Sequence, residues 1–150
     1  LVSGNWRSPG FGLPAAIGAK VAAPGRQVIA LVGDGGMAQS LAEFSTAVRY
    51  RLPVIIVVAN NGWLGMEKDR MQLADMAYEV TSLTNPDFAK FAEICGGIGY
   101  RVEESGELDR VLTEAVRCGE PVLVDVLTAA PVFPGLLDQE QKKEKILQKI

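Results

Sequence analysis

An α/β fold, a three-layer sandwich with a mainly parallel central sheet and helices on both faces, is what this sequence predicts. Val28-Ile29-Ala30-Leu31-Val32 and Val54-Ile55-Ile56-Val57-Val58-Ala59 are continuous apolar runs of strand length, the pattern of strands buried on both faces in parallel sheets. Between them, Ala38 to Arg51 carries helical spacing at Leu41, Phe44, Ala47 and Val48, which makes a β-α-β unit. A right-handed crossover returns the second strand beside or near the first. The loops after both strands then open at the carboxyl edge of the sheet, where α/β folds place their ligands.

Ahead of the first strand, Pro14 to Ala23 reads as a small-residue helix ended by Pro24-Gly25, able to approach a sheet or a second subunit closely. After the second strand come the turn Asn60-Asn61-Gly62 and a glycine-punctuated loop, Gly62-Trp63-Leu64-Gly65-Met66, with Trp63, Leu64 and Met66 as an apolar wall. Glu67 to Arg70 is charged, and Met71 to Val80 reads as a helix or loop covering the site. Asn85-Pro86-Asp87 starts a helix with Pro at its first position and Phe88, Phe91, Ala92 and Cys95 inward; Gly96-Gly97 closes it. Ile98 to Val102 is a strand. Ser105 then caps a helix with Leu108, Val111, Leu112, Ala115 and Val116 inward, and Pro121 to Leu127 is the last strand. Asp125 within that strand reads as a structural partner in preference to a functional acid. The main domain is thus expected over residues 1–130, and residues 131–150, with the charged run Gln139 to Lys145, as a solvated C-terminal helical tail.

The 150 residues, 48% hydrophobic, suffice for one domain with a substantial core and are too few for two comfortable ones. A net charge of −3 with no basic run argues against nucleic-acid binding. No apolar stretch reaches the about eighteen residues of a membrane span, and no signal-peptide pattern is present. Cys95 and Cys118 fit no metal-ligand spacing and read as small core residues in a reducing compartment, which makes a cytoplasmic location the default. The chain contains no His, so neither a Ser-His nor a Cys-His nucleophile can be built from it and no catalytic residue is assigned. Any catalysis must draw on a cofactor. The opening Leu1-Val2-Ser3-Gly4-Asn5, without Met, reads as part of something longer.

Chemistry concentrates in the two strand-end loops. Asp34 offers a hard anionic oxygen, Asn61 an amide oxygen, and the backbone carbonyl near Trp63 a third ligand from the same turn. Three protein oxygens leave an octahedral Mg²⁺ half open for phosphate oxygens and water. Gly35 and Gly36, with the helix N-terminus after them, would let backbone N–H groups approach a diphosphate. The bland reading is a tight turn in which Asp34 caps the following helix, beside an ordinary Asn-Asn-Gly turn. A dinucleotide site is a rival, but the fingerprint G-x-G-x-x-G is absent, since Gly33, Gly35 and Gly36 are followed by Gln39 and no further Gly.

These loops, together with Gly10-Phe11-Gly12-Leu13-Pro14-Ala15-Ala16-Ile17-Gly18-Ala19, Asn85-Pro86-Asp87-Phe88-Ala89 and Pro121-Val122-Leu123-Val124-Asp125-Val126, resemble the diphosphate-binding domain of thiamine-diphosphate enzymes. The branch is that of acetolactate synthase and pyruvate oxidase, and the resemblance runs from about Gly10 to Pro131. It implies thiamine diphosphate and Mg²⁺ as cofactors, with Asp34, Asn61 and the carbonyl of Trp63 on the metal. Gly33, Asp34, Gly35, Gly36, Asn61, Trp63, Leu64 and Gly65 would meet the cofactor. It also implies decarboxylation of a 2-oxo acid, pyruvate first, within a dimer or tetramer, and a pyrimidine-binding domain that carries the Glu on which cofactor deprotonation depends. No residue here matches that Glu, and neither Glu43 nor Glu67 takes its role.

Two departures stand out. Pro9 replaces the large aliphatic or Met that props the bent cofactor, and Glu67 stands where an aliphatic residue is usual. A Glu-Lys pair like Glu67-Lys68 is similar to one in sulfoacetaldehyde acetyltransferases. That enzyme class, and a non-catalytic phosphate- or nucleotide-binding module, are the alternatives.

Overall fold

The structure, a computed structural model, describes Leu1, Val2, Gly4 and residues 8–129, so the expected tail at 131–150 lies outside the described residues. Its elements run α1 (Gly12–Ala22), β1 (Val28–Gly33), α2 (Asp34–Ser40), α3 (Phe44–Arg49), β2 (Val54–Asn60), α4 (Gly65–Leu73), α5 (Phe88–Ile94), β3 (Ile98–Val102), α6 (Leu108–Cys118) and β4 (Val122–Leu127). The four strands form one sheet in the order β1-β2-β4-β3, all parallel.

The layers follow from the direction of travel. From β1 to β2 and on to β3 the chain steps the same way across the sheet; from β3 to β4 it steps back. With right-handed crossovers, that reversal puts α6 on the opposite face from the earlier helices. The two cores agree: Leu13, Ala16, Met37, Phe44, Ala47, Phe88 and Ala92 pack on Val54, Ile56, Val58 and Leu123, whereas Val111 and Ala115 pack on Ile55, Val102, Val122 and Val124. This is the expected three-layer α/β sandwich.

Several local expectations are corrected. β1 is an edge strand with only one face covered, and Ile29 and Leu31 remain 54% and 77% exposed on the side where α6 covers only the other strands. A continuous apolar run therefore did not mean burial on both faces. The helix expected from Ala38 starts at Asp34 and is interrupted by a 3₁₀ turn at Leu41–Glu43. The glycine-punctuated loop is shorter than expected, because Gly65 and Met66 already belong to α4.

Further along, Met71 to Leu73 end α4, and the following segment reaches a 3₁₀ turn at Glu79–Thr81. Pro86 is not the first residue of α5; Asp87 is its N-cap, with the carboxylate accepting from Lys90 N at 3.0 Å. Ser105 opens a 3₁₀ turn without capping α6, and Val116 points outward, 44% exposed. Cys95 and Cys118 are free thiols, half-buried against opposite cores, and burial pushes the Cys95 thiol up.

Candidate functional site

Parallel pairing in the register Gly33↔Ala59 ends β1 and β2 together, so the residues that follow meet at one edge. Asp34 is buried at the first position of α2, with Gly33 as an extended N-cap at φ −80°, ψ 158°. Its carboxylate does more than a local cap would. Oδ1 accepts from Gly35 N at 2.9 Å, while Oδ2 accepts from Gly62 N in the other loop at 2.7 Å and from Asn85 Nδ2 at 2.8 Å. The Asp34 side chain thus grips the turn that carries Asn61 and Trp63.

That turn is shaped by its own sequence. Asn61 Oδ1 accepts from Trp63 N at 2.9 Å, an Asx turn, and Gly62 takes φ +72°, a conformation that favours glycine. Residues 79–83 fold back onto it, with Leu64 N donating to Thr81 O and Leu83 N to Gly62 O, each at 2.8 Å. Lys68 Nζ lies 4.7 Å from the Trp63 ring centre and 5.8 Å from that of Tyr78, tying α4 to the returning segment.

The glycines differ in what they permit. A Cβ on Gly33 would meet no atom within 4 Å, leaving its backbone approachable, but one on Gly35 would lie 2.5 Å from Leu64 Cδ2 and 3.3 Å from Leu83 Cδ1. A side chain at 35 would therefore displace the tip of Leu64. Gly36 comes close to Gly10 N, and Gly65 to Asn61 Nδ2. Leu64 and Met66 are exposed and Trp63 half-buried, so all three line a surface and none is core.

Sequence reasoning singled out Asp125 as a structural partner but passed over the polar cluster that joins it to Asp34. Asn85, read as a helix start, bridges Asp34 and Asn60, donating from Nδ2 to Asn60 Oδ1 at 2.9 Å. Asn60 Nδ2 donates to Asp125 Oδ1 at 2.9 Å, and Arg101 Nη1 to Asp125 Oδ2 at 3.0 Å. Asp125 is 0% exposed. Burial pushes its carboxyl up, opposed by the Asn60 hydrogen bond and the Arg101 charge. The signal in the sequence was one acidic residue inside an apolar strand, with two asparagines in loops at the same edge.

The donor set suits a hard cation held jointly with a phosphorylated ligand. Among the described residues no three Asp, Glu or Cys side chains converge, so a cation here would rest on one carboxylate, the Asn61 amide and the Trp63 carbonyl, completed by ligand oxygens and water. A cavity of about 720 Å³ runs along the open side of β1, lined by Pro9, Phe11, Ala15 and Leu31, and reaches this site at Gly33 and Gly36. It reflects the uncovered edge of the sheet more than the chemistry of the loops. Among the described residues no helix is long and apolar enough to cross a membrane.

Comparison with known proteins agrees with this architecture. A putative thiamine pyrophosphate-containing protein, YdaP of Bacillus subtilis, is 40% identical over 144 residues, covering 95% of this chain and 25% of that protein. The acetolactate synthase isozyme 3 large subunit of Escherichia coli is 42% identical over 134 residues, covering 83% of this chain and 22% of its own. Among solved structures, the thiamine diphosphate-dependent 4-hydroxybenzoylformate decarboxylase of Rhodococcus jostii RHA1 superposes with a TM-score of 0.76 at 33% identity, over 81% of this chain and 23% of that one. The chain thus spans about a quarter of the length of the relatives it matches. The family described as thiamine pyrophosphate enzyme, C-terminal TPP binding domain, matches residues 1–126, a start earlier than Gly10. By that match, and by a sheet whose first two strands end in the Asp34 and Asn61 loops, this chain belongs to the C-terminal TPP-binding domain family of thiamine pyrophosphate enzymes.

Proposed function

We propose that this chain binds thiamine diphosphate through Mg²⁺ and forms the diphosphate half of an enzyme that decarboxylates a 2-oxo acid, with pyruvate the first candidate. The observation that carries the reading is the 2.7 Å bond from Gly62 N to Asp34 Oδ2, which locks the only carboxylate of the candidate metal set onto the turn bearing its other two ligands. Asp34 would neutralise part of the cation's charge, Asn61 and the Trp63 carbonyl would orient it, and Leu64 and Met66 would shield it from water. The chemistry supplied by the bound cofactor is that of an electron sink for decarboxylation.

This chain's residues bind and orient; it has no His, and no residue of it is assigned to move a proton at the reacting centre. That duty falls to a pyrimidine-binding domain, and the working unit is a dimer or tetramer in which the two domains meet. The position of Lys68 over Trp63, beside the candidate site, favours a second reading, a sulfoacetaldehyde acetyltransferase-like domain, because a fixed cation there suits a sulfonate.

Calorimetric titration with thiamine diphosphate, in Mg²⁺ and again in EDTA, tests the proposal. Binding is expected to need Mg²⁺ and to be abolished in Asp34→Ala, since one close charge pair at ~4 Å is worth about 4 kcal/mol before desolvation. Unchanged affinity in Asp34→Ala, measured with the pyrimidine-binding domain present, sinks the assignment.

A further inference from the structure

The hydrogen bonds beneath Asp34 form a single directed chain across three strands. Asp125 on β4 stands in register with Arg101 on β3 and with Val58 on β2, two residues before Asn60. Both oxygens of its fully buried carboxylate accept, Oδ1 from Asn60 Nδ2 and Oδ2 from Arg101 Nη1. Because both Asp125 oxygens accept, the amide nitrogen of Asn60 faces Asp125 and its oxygen faces the loop. There that oxygen takes one proton of the Asn85 amide, and Asp34 Oδ2 takes the other.

The polarity of each link depends on the one before. Were Asn60 turned over, its amide nitrogen would oppose that of Asn85. Asn85 would then turn as well and set its own oxygen against the Asp34 carboxylate. With the order observed, Oδ2 of Asp34 accepts two bonds and Oδ1 one, so among the described residues the remaining acceptor position of this carboxylate is on Oδ1.

Resting on the reading that Asp34 holds a cation, we propose that Asp125, Asn60 and Asn85 are positioning residues, which orient the Asp34 carboxylate so that Oδ1 faces the metal. Asp125 acts from the middle of the sheet without touching cofactor or substrate. Partners that orient a ligand in this way typically contribute about 10- to 100-fold to metal affinity.

The test uses the full chain, Mn²⁺ as the probe metal in the presence of thiamine diphosphate, and free Mn²⁺ followed by electron paramagnetic resonance. Asp125→Asn and Asn85→Ala are each expected to weaken Mn²⁺ binding by about tenfold. The double variant is expected to be no weaker than Asn85→Ala alone, because one effect passes through the other. Thermal unfolding of each variant separates this from loss of fold, and non-additivity in Mn²⁺ affinity is something general destabilisation does not produce.

A second readout needs no metal. In ¹⁵N spectra of side-chain amides, Asp125→Asn is expected to shift the Asn85 signals. If Asp125→Asn does not fold, Asn85→Ala carries the same test through the Asn60 amide signals. Mn²⁺ binding lost in Asp34→Ala but within twofold of wild type in folded Asn85→Ala overturns the positioning role and leaves the cofactor reading standing. Mn²⁺ binding by the wild-type chain that Asp34→Ala retains in full, measured with the pyrimidine-binding domain present, overturns that reading and this inference with it.

Discussion

Asp34 and Asp87 both begin a helix, yet their carboxylates play different parts. Asp34 bonds across to a second loop, whereas Asp87 bonds within its own first turn, to Lys90 N. The Lys90 backbone N–H is the main reason the Asp87 carboxyl is held below its ordinary value, with the Lys90 ammonium 3.4 Å away adding to it. Replacing such a cap with Ala typically costs about 1 kcal/mol, so Asp87→Ala is expected to lower stability by that amount in urea unfolding at neutral pH.

The sign with pH follows from linkage. A carboxyl whose native pKa is lowered stabilises fully above its unfolded value, and that stabilisation disappears as pH falls through the native value. The difference between wild type and Asp87→Ala should therefore be constant near neutrality and vanish in the acid range below the ordinary carboxylate pKa. A gap that persisted at the lowest pH would assign the loss to packing. Asn85-Pro86-Asp87 marked the helix start in the sequence. That Asp87, and not Pro86, sits at the cap was decided by which residue's side chain could reach the third N–H.

Among the elements, α5 and β3 meet more closely than any side chain would allow. A Cβ on Gly99 would fall 2.0 Å from Ala89 O and 2.6 Å from its carbonyl carbon. Backbone cannot yield as a rotamer can, so Gly99→Ala is expected to cost at least the about 1–3 kcal/mol of an overpacked core, read as a lowered midpoint in thermal unfolding. Wild-type stability in that variant would mean that α5 moves freely over the sheet.

β1 marks the limit of reading elements from sequence. Its apolar run resembles that of β2, but β2 lies between two strands under helices on both faces, while Ile29 and Leu31 of β1 stand beyond the reach of α6. Periodicity reports that a strand can be buried; strand order determines whether it is. Leu31→Lys should change stability by less than about 0.5 kcal/mol and reduce concentration-dependent self-association in sedimentation, as expected for an exposed apolar position on a sheet edge.

At the scale of the whole molecule, the chain spans about a quarter of the length of the relatives it matches, and the function proposed above gives its residues binding and orienting roles only. The 150-residue chain alone is therefore expected to show no measurable turnover of pyruvate, with activity returning only on addition of a pyrimidine-binding domain. Turnover by the isolated chain in a coupled CO₂-release assay would refute the division of labour proposed above.

The amino-acid sequence by itself determined the α/β class, the four strands and the two loops where Asp34 and Asn61 lie, because apolar periodicity and glycine-rich turns act over a few residues. Only the tertiary structure decided that β1 has an open face and that Asp125 connects to Asp34 through Asn60 and Asn85. Those relations join residues as much as 65 positions apart in the chain, and they depend on strand order and register, which no local pattern encodes.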